Sequence, residues 1–256
     1  MLDGLRLAFG TLTALPVPPP TRVDRRVAGH GMLLAPLAVL PFAALTAGMA
    51  WAGRALGVAA PVTACLLVAV LVLGTRAMHL DGLADTADGL SASYDRDRAL
   101  EVMRRGDVGP SGVAAVALVL LLDVAAVSAV VQTGAGPLLV ALSVLLSRHG
   151  LSWACVRGVP AARPEGLGST VAGSVARPAL AVVSVVLLAL AVVGASAAGR
   201  PWWVGAAIWG AVVLTAAAVV VRANRRLGGI TGDVLGATVE IGFAACVTVA
   251  AVVAAG

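Results

Sequence analysis

Long apolar runs separated by short polar segments dominate the pattern of this chain. A helix needs about 20 apolar residues to cross a bilayer, and seven runs are long enough to approach that length. They cover residues 31–53, 56–78, 112–132, 137–156, 179–198, 202–221 and 235–255. Pro36, Pro41 and Pro61 lie in the first two runs, where we expect them to kink or shorten the helices. The pattern predicts an all-α, polytopic membrane bundle of about seven transmembrane helices.

The composition favours the same class of protein. Only 12% of the residues are charged, about half the usual share, so the chain cannot give a soluble globule its polar coat. We therefore expect one membrane-embedded domain over residues 1–256, in contact with the lipid bilayer. Cys65, Cys155 and Cys246 stand apart in apolar runs, which predicts small buried hydrophobes rather than disulfides or zinc ligands. The net charge of +5 is too weak a signal to predict a nucleic-acid partner.

The arginines predict how the chain is oriented in the membrane. All 18 basic residues are arginine. Fifteen of them fall in four segments that alternate to one side of the membrane, namely 1–30, 76–110, 157–177 and 222–234. Arg54 and Arg200 fall on the other side, and Arg148 falls within a run. By the positive-inside rule the arginine-rich side is cytoplasmic, which places the N-terminus inside, Gly256 outside, and every motif below at the cytoplasmic face.

The segment 79–110 opens with the most acidic stretch of the chain, "HLDGLADTADGL" at residues 79–90. On a helix, Asp81, Asp85 and Asp88 fall within about 60° of one another, so their carboxylates would repel without a cation. Such a face suits Mg²⁺ or Mn²⁺, which could neutralise charge on a transferring phosphate. The alternative is a solvated helix that caps the preceding run, because aspartate is also common at helix starts.

Residues 106–112, "GDVGPSG", place Asp107 at the start of the next apolar run. This position makes Asp107 a candidate fourth metal ligand, or the base that takes a proton from an attacking hydroxyl. A plain helix-start role is the alternative. The charged residues between 95 and 105 resemble a solvated helix that carries ion pairs three and four residues apart.

The segment 222–240 holds the second motif, "RRLGGITGDVLGATVE" at residues 225–240. Backbone amides around Gly229 and Gly232, with Thr231 alongside, could hold phosphate oxygens at the start of the last helix. Asp233 and Glu240 are seven residues apart and share a helix face, and a carboxylate near hydrocarbon is usually functional. A glycine-rich packing face would explain the glycines but not the two acids.

Several further polar residues interrupt the apolar pattern. Arg163, in "ARPEGLGST", could clamp a phosphate or could only mark topology. Arg148 could face a polar cavity and bind an anionic substrate, or it could pair with Asp123. His149 and His79 are more often packed histidines than metal ligands.

Taken together, "HLDGLADTADGL" and "GGITGDVLGA" resemble the cobalamin synthase family, the adenosylcobinamide-GDP ribazoletransferases. "TLTALPVP" near the start and "ARPEGLG" in the middle also resemble that family, so the similarity covers nearly the whole chain. One departure follows the acidic cluster, where the family usually has Met-Lys-Asp-Ser-Arg-Val-Gly. Here residues 103–109 read Met-Arg-Arg-Gly-Asp-Val-Gly, so the aspartate and an arginine have exchanged ends.

The resemblance implies a prokaryotic cytoplasmic-membrane phosphotransferase that needs Mg²⁺, with Mn²⁺ as a substitute. Its substrates would be adenosylcobinamide-GDP and α-ribazole or α-ribazole 5′-phosphate, and its products adenosylcobalamin or its 5′-phosphate, and GMP. A homo-oligomer is also expected. The implied metal ligands are Asp81, Asp85, Asp88 and Asp107, with Asp88 and Asp107 as catalytic groups. The implied substrate-binding residues are Gly229, Thr231, Gly232, Asp233, Arg148, Arg163 and Glu240.

Two other functions fit parts of the pattern. The CDP-alcohol phosphotransferases of phospholipid synthesis share Asp85, Asp88 and Gly89, but Ser93 stands where their motif has arginine, and its second half is not intact. A cation transporter could use the acids as an ion path. Transporters often carry repeated halves with acids near the midplane, whereas these acids cluster at a membrane edge without a repeat.

Overall fold

A computed structural model describes residues 1–254 of the chain, and within that range it contains helices and no strand. The helices are α1 (Leu2–Leu12), α2 (Arg25–Leu33), α3 (Ala35–Ala38), α4 (Leu40–Ala55), α5 (Ala60–Gly74), α6 (Met78–Ala92), α7 (Arg96–Val102), α8 (Pro110–Val131), α9 (Gly136–Ser147), α10 (His149–Ala154), α11 (Gly166–Val171), α12 (Arg177–Ala197), α13 (Trp202–Leu227) and α14 (Gly232–Ala254). The predicted all-α membrane bundle is confirmed.

Among residues 1–254, five helical segments are long and apolar enough to cross a membrane: α8, α9 together with α10, α12, α13 and α14. The helices α5 and α6 pass the same test only as a pair that is bent by 87° at a break, the geometry of a broken span or a re-entrant segment. The first predicted run, 31–53, is divided among α2, α3 and the 16-residue α4. Pro36 and Pro41 stand in the first turns of α3 and α4, because proline lacks the amide that a helix interior needs. Prolines therefore fragment the first run, as predicted.

Arginine side chains tie together segments that are far apart in the chain. At the arginine-rich end, Arg25 donates to the carbonyl of Gly173 at 2.9 Å. Arg226 donates to the carbonyls of Leu90 and Ser93 at 3.1 and 2.5 Å. These bonds join loops that are far apart in sequence. Gly256, predicted to lie on the opposite side, is outside the described residues.

A sharp turn between α5 and α6 sets the direction of the acidic helix. Arg76 and Ala77 have φ of 57° and 55°, a left-handed backbone that costs roughly 1–2 kcal/mol per non-glycine residue. The Ala77 amide bonds to the Val72 carbonyl at 2.8 Å, and the Arg76 side chain bonds to the Gly10 carbonyl at 3.1 Å. These contacts hold the bend that lays α6 across the bundle.

The crossing of α6 and α14 depends on two glycines. A β-carbon on Gly82 would lie 2.7 Å from the Asp233 carbonyl oxygen, and one on Gly236 would lie 3.0 Å from the His79 carbonyl oxygen. Only a residue without a side chain allows two backbones this close. The contact brings the acidic motif and the glycine-rich motif together, although most of the chain separates them in sequence.

The apolar interior holds two of the three cysteines. Cys155 and Cys246 are buried and unbonded, as predicted, whereas Cys65 is exposed on α5. The prediction was therefore wrong for Cys65. An apolar side chain can face outward on a membrane helix, because lipid replaces the protein core as its surroundings.

Candidate active site

A cavity of about 290 Å³ opens at the arginine-rich end, between α6, the loop before α11 and the start of α14. Its polar lining comes from three separate segments. These residues are Asp81 of α6, Arg163 and Glu165 of the loop, and Thr231, Gly232 and Asp233 at the start of α14. The structure thus brings four of the predicted substrate-binding residues and one predicted metal ligand to one cavity.

The start of α14 presents groups that can bind an anion. Thr231 caps the helix, because its hydroxyl oxygen accepts the Val234 amide at 3.2 Å. The same hydroxyl donates to a carboxylate oxygen of Asp233 at 3.2 Å. The first amides of a helix carry partial positive charge and have no partner within the helix. A β-carbon on Gly232 would meet only the Leu167 side chain, at 3.6 Å or more, so this backbone is open to a ligand.

Three carboxylates from two helices influence one another beside this cavity. Burial, the charge of Asp233 and the charge of Asp81 together raise the pKa of the Asp85 carboxyl to about 6. Arg163 offsets part of this repulsion, with its Nη1 atom 3.8 Å from a carboxylate oxygen of Asp233. Within residues 1–254, however, no group of three His, Cys, Asp or Glu side chains is arranged closely enough to hold a metal ion.

Asp88 has a different environment from the other acids of α6. Its two carboxylate oxygens accept the amides of Gly109 and Gly112 at 2.7 and 2.8 Å. Asp88 is buried and fastens α6 to the start of α8, so it caps the helix that follows. The alternative predicted from the sequence was different, a solvated helix that caps the preceding run. Asp88 does not line the cavity, and its predicted metal and catalytic roles stay predictions.

Asp107 also lies away from the cavity. Asp107 is exposed in the segment between α7 and α8, and its negative charge attracts Arg105. The predicted four-acid site is therefore divided, with only Asp81 and Asp85 near the start of α14. The role of Asp107 as ligand or base stays a prediction.

Arg148 and Glu240 lie inside the bundle instead of at the cavity. They line an internal space of about 10 Å³ together with Asp123. Arg148 is 3% exposed, and it donates to the Ser147 hydroxyl at 2.8 Å. Glu240 is 3.8 Å from the His79 ring. Both side chains point between helices, away from the larger cavity, so the substrate-binding roles of Arg148 and Glu240 stay predictions.

Gly229 packs two loops together and does not contact the cavity. A β-carbon there would lie 2.5 Å from the Pro160 carbonyl oxygen. On either side, the Ile230 amide donates to Pro160 and the Ala162 amide donates to Ile230, both at 2.9 Å. These bonds hold the 160–164 loop against the glycine-rich motif and so position Arg163. In this structure Gly229 supports the loop that carries Arg163, and its direct contact with phosphate stays a prediction.

Sequence reasoning missed two residues of this region. Glu165 lines the cavity, and its position two residues after Arg163 in "ARPEGLG" was the available signal. Arg96 was interpreted as part of a solvated helix. Its side chain instead donates to the Leu227 and Ala162 carbonyls at 2.9 and 2.7 Å, joining α7 to both loops of the site.

Nearly the whole chain is similar to proteins of one family. The sequence profile of the family described as Cobalamin-5-phosphate synthase matches residues 4–251. A protein of Nocardioides sp. named adenosylcobinamide-GDP ribazoletransferase is 46% identical, over 96% of this chain and 96% of its own. Proteins of that name from Frankia casuarinae and Corynebacterium efficiens are 40% and 34% identical, over 98% and 100% of this chain and 95% and 94% of theirs. No solved structure matches the chain.

Proposed function

The chain belongs to the cobalamin-5-phosphate synthase family, and from that premise we propose that it completes the nucleotide loop of cobalamin. It joins adenosylcobinamide-GDP to α-ribazole or α-ribazole 5′-phosphate, giving adenosylcobalamin or its 5′-phosphate, and GMP. The observation that carries the site assignment is the cavity where Asp81, Arg163 and the start of α14 meet. It combines groups suited to binding a diphosphate at one membrane edge.

The reaction exchanges one phosphorus–oxygen bond for another. A hydroxyl of the acceptor attacks the phosphorus that carries the cobinamide, the bond from that phosphorus to the GMP oxygen breaks, and the hydroxyl proton is released. Charge builds up on the phosphate oxygens during the transfer, so fixed positive groups lower the barrier. Arg163 and the first amides of α14 are placed to supply them, and Thr231 holds that helix start in position.

We assign Mg²⁺, or Mn²⁺ in its place, to Asp81, Asp85 and Asp233. These carboxylates come from α6 and α14, and burial, followed by the charges of Asp233 and Asp81, raises the pKa of Asp85. Carboxylate oxygens are the donors that a hard divalent cation prefers. No three such side chains within residues 1–254 are close enough to hold an ion, so this assignment requires α6 and the start of α14 to draw together around it. When bound, the ion would neutralise charge on the diphosphate. Asp233 replaces Asp88 in the predicted ligand set, because Asp88 caps α8.

The cavity belongs at the cytoplasmic side of a prokaryotic cell membrane in this proposal. The support is the arginine distribution, since fifteen of 18 arginines fall in segments at the end of the bundle that holds the cavity. The N-terminus is then cytoplasmic. The expected homo-oligomer stays a prediction.

The proposed reaction is tested with purified protein in detergent, supplied with adenosylcobinamide-GDP, α-ribazole and Mg²⁺. GMP and the corrinoid product should appear in equal amounts, measured by liquid chromatography and mass spectrometry, and a chelator should stop both. Asp81→Asn is the matched inactive variant. GMP release without the corrinoid product, or no turnover with either acceptor, would contradict the proposal.

A further inference from the structure

A second polar cavity lies directly beside the first. It has a volume of about 260 Å³ and is formed by α7 and residues 162–164. Arg163 lines both cavities. Its Nη2 atom donates to the Leu100 carbonyl of α7 at 2.9 Å, while its Nη1 atom is 3.8 Å from Asp233 in the first cavity. One guanidinium therefore separates two spaces that a single ligand could occupy together.

The second cavity has one arginine whose charge is not already neutralised. Its two acids have partners: Asp97 pairs with Arg96 at 2.8 Å, and Glu101 pairs with Arg98 and Arg105 at 2.8 and 2.9 Å. Arg104 is exposed at the cavity wall. Its side chain has no hydrogen bond or ion pair within residues 1–254.

The charge of Arg104 acts on Arg163, so the two guanidinium groups repel across the wall. In addition, the Arg163 Nε atom is buried and has no partner among the described residues. An anion seated between the two arginines would relieve the repulsion and accept hydrogen bonds from Arg104. Guanidinium groups bind phosphate with paired, charge-assisted hydrogen bonds.

We propose that the second cavity binds the 5′-phosphate of the acceptor nucleotide and that Arg104 is the residue that selects it. This inference rests on the proposed function and deepens it. The attacking hydroxyl and the 5′-phosphate belong to one ribose, so their subsites must be neighbours. Two cavities that share Arg163 meet this requirement, with the transferring phosphate in the first and the 5′-phosphate in the second.

The test compares two acceptors, α-ribazole and α-ribazole 5′-phosphate, in the purified full-length protein. Arg104→Gln should lower the ratio of kcat/KM for the phosphorylated over the unphosphorylated acceptor by roughly 10- to 100-fold, the usual effect of losing a charged hydrogen bond. The loss should appear in KM. Arg104→Lys should restore part of the ratio. Arg222→Gln is the matched control, because Arg222 is exposed at the same end and lines neither cavity.

Each outcome separates this inference from the proposed function. A wild-type protein that turns over neither acceptor contradicts the function itself. Normal turnover with the same acceptor ratio in wild type and Arg104→Gln overturns the phosphate subsite. The assay is repeated in lipid-free detergent and in nanodiscs with anionic lipid. If Arg104→Gln lowers turnover only in the anionic nanodiscs, and equally with both acceptors, Arg104 serves lipid headgroups and the inference is overturned.

Discussion

Two groups of charged residues interrupt this apolar chain, and α14 contributes a carboxylate to each. Asp233, in its first turn, lines an open cavity of about 290 Å³ with Arg163. Glu240, two turns later, lies with Arg148 and Asp123 around an internal space of about 10 Å³. A space of that size holds about one water molecule. The two groups have similar residue types, so the space beside them decides which group can bind a substrate.

The surroundings of the two groups also differ. The cavity is bounded by loops and by a helix start, which present backbone amides as well as side chains. The interior group lies between helix sides, where backbone groups are already paired. Charges enclosed in this way must balance each other, because solvent cannot. We therefore expect the interior group to act on stability and the cavity group to act on turnover.

The largest expected effect is a loss of stability when Arg148 is replaced, because its positive charge balances the negative charges of the interior group. Replacing it with methionine should cost roughly 3–5 kcal/mol of unfolding free energy, since Glu240 would keep a buried charge without compensation. Denaturant or thermal unfolding in detergent measures this. Arg148→Met combined with Glu240→Gln should recover part of the loss. A stable but inactive Arg148→Met protein would instead support the substrate-binding role predicted from the sequence.

The cavity acids should give the opposite result. Asp81→Asn and Asp233→Asn should each lower kcat/KM by at least about 100-fold, because charge stabilisation at a transferring phosphate is worth a few kcal/mol. Their unfolding should match the wild type. Asp107→Asn serves as the comparison, since Asp107 is exposed away from the cavity. An equal loss in Asp107→Asn would place that acid in the working site.

Gly82 tests whether the contact between helices positions the cavity. An alanine there would put its β-carbon 2.7 Å from the Asp233 carbonyl oxygen, so α6 and α14 must separate. We expect a cost of about 1–3 kcal/mol in stability and a parallel fall in activity. Gly210→Ala on α13 is the control, because a β-carbon there has nothing within 4 Å. Full activity in Gly82→Ala would show that the crossing tolerates separation.

The smallest effect concerns pH. Because the pKa of Asp85 is raised to about 6, its carboxyl is protonated below that pH and ionised above it. Protons should therefore compete with Mg²⁺, and the half-saturating Mg²⁺ concentration should rise up to about tenfold per pH unit below pH 6. Activity titrations between pH 5 and 8 measure this. Residual Mg²⁺-dependent activity in Asp85→Asn should lack the dependence, and a flat wild-type profile would exclude Asp85 as a ligand.

The sequence predicted the membrane bundle and the meeting of the acidic and glycine-rich motifs. These follow from hydropathy and motif identity, which are local properties. It did not separate Asp88 from Asp81, because the helix angle alone puts both on one face. They are about 10 Å apart along the helix axis, far enough for Asp88 to reach the start of α8.

The sequence also did not predict the structural roles of two arginines. Arg96 and Arg226 looked like markers of membrane topology, yet both donate to carbonyl groups at loop and helix ends. Such contacts depend on which chain segments are neighbours in the folded bundle. No spacing within a single motif reveals them, and the supporting role of Gly229 was missed for the same reason.

The meeting of α6 and α14 also sets an order of events during synthesis. The ribosome makes Asp85 long before Asp233, and at about 5–20 residues per second the interval is roughly 7 to 30 seconds. During that time the acidic helix has neither the Asp233 carboxylate nor the amides of α14 beside it. The nascent chain cannot assemble the proposed diphosphate site until α14 has entered the bundle, so we expect catalysis to begin only after the last described helix is in place.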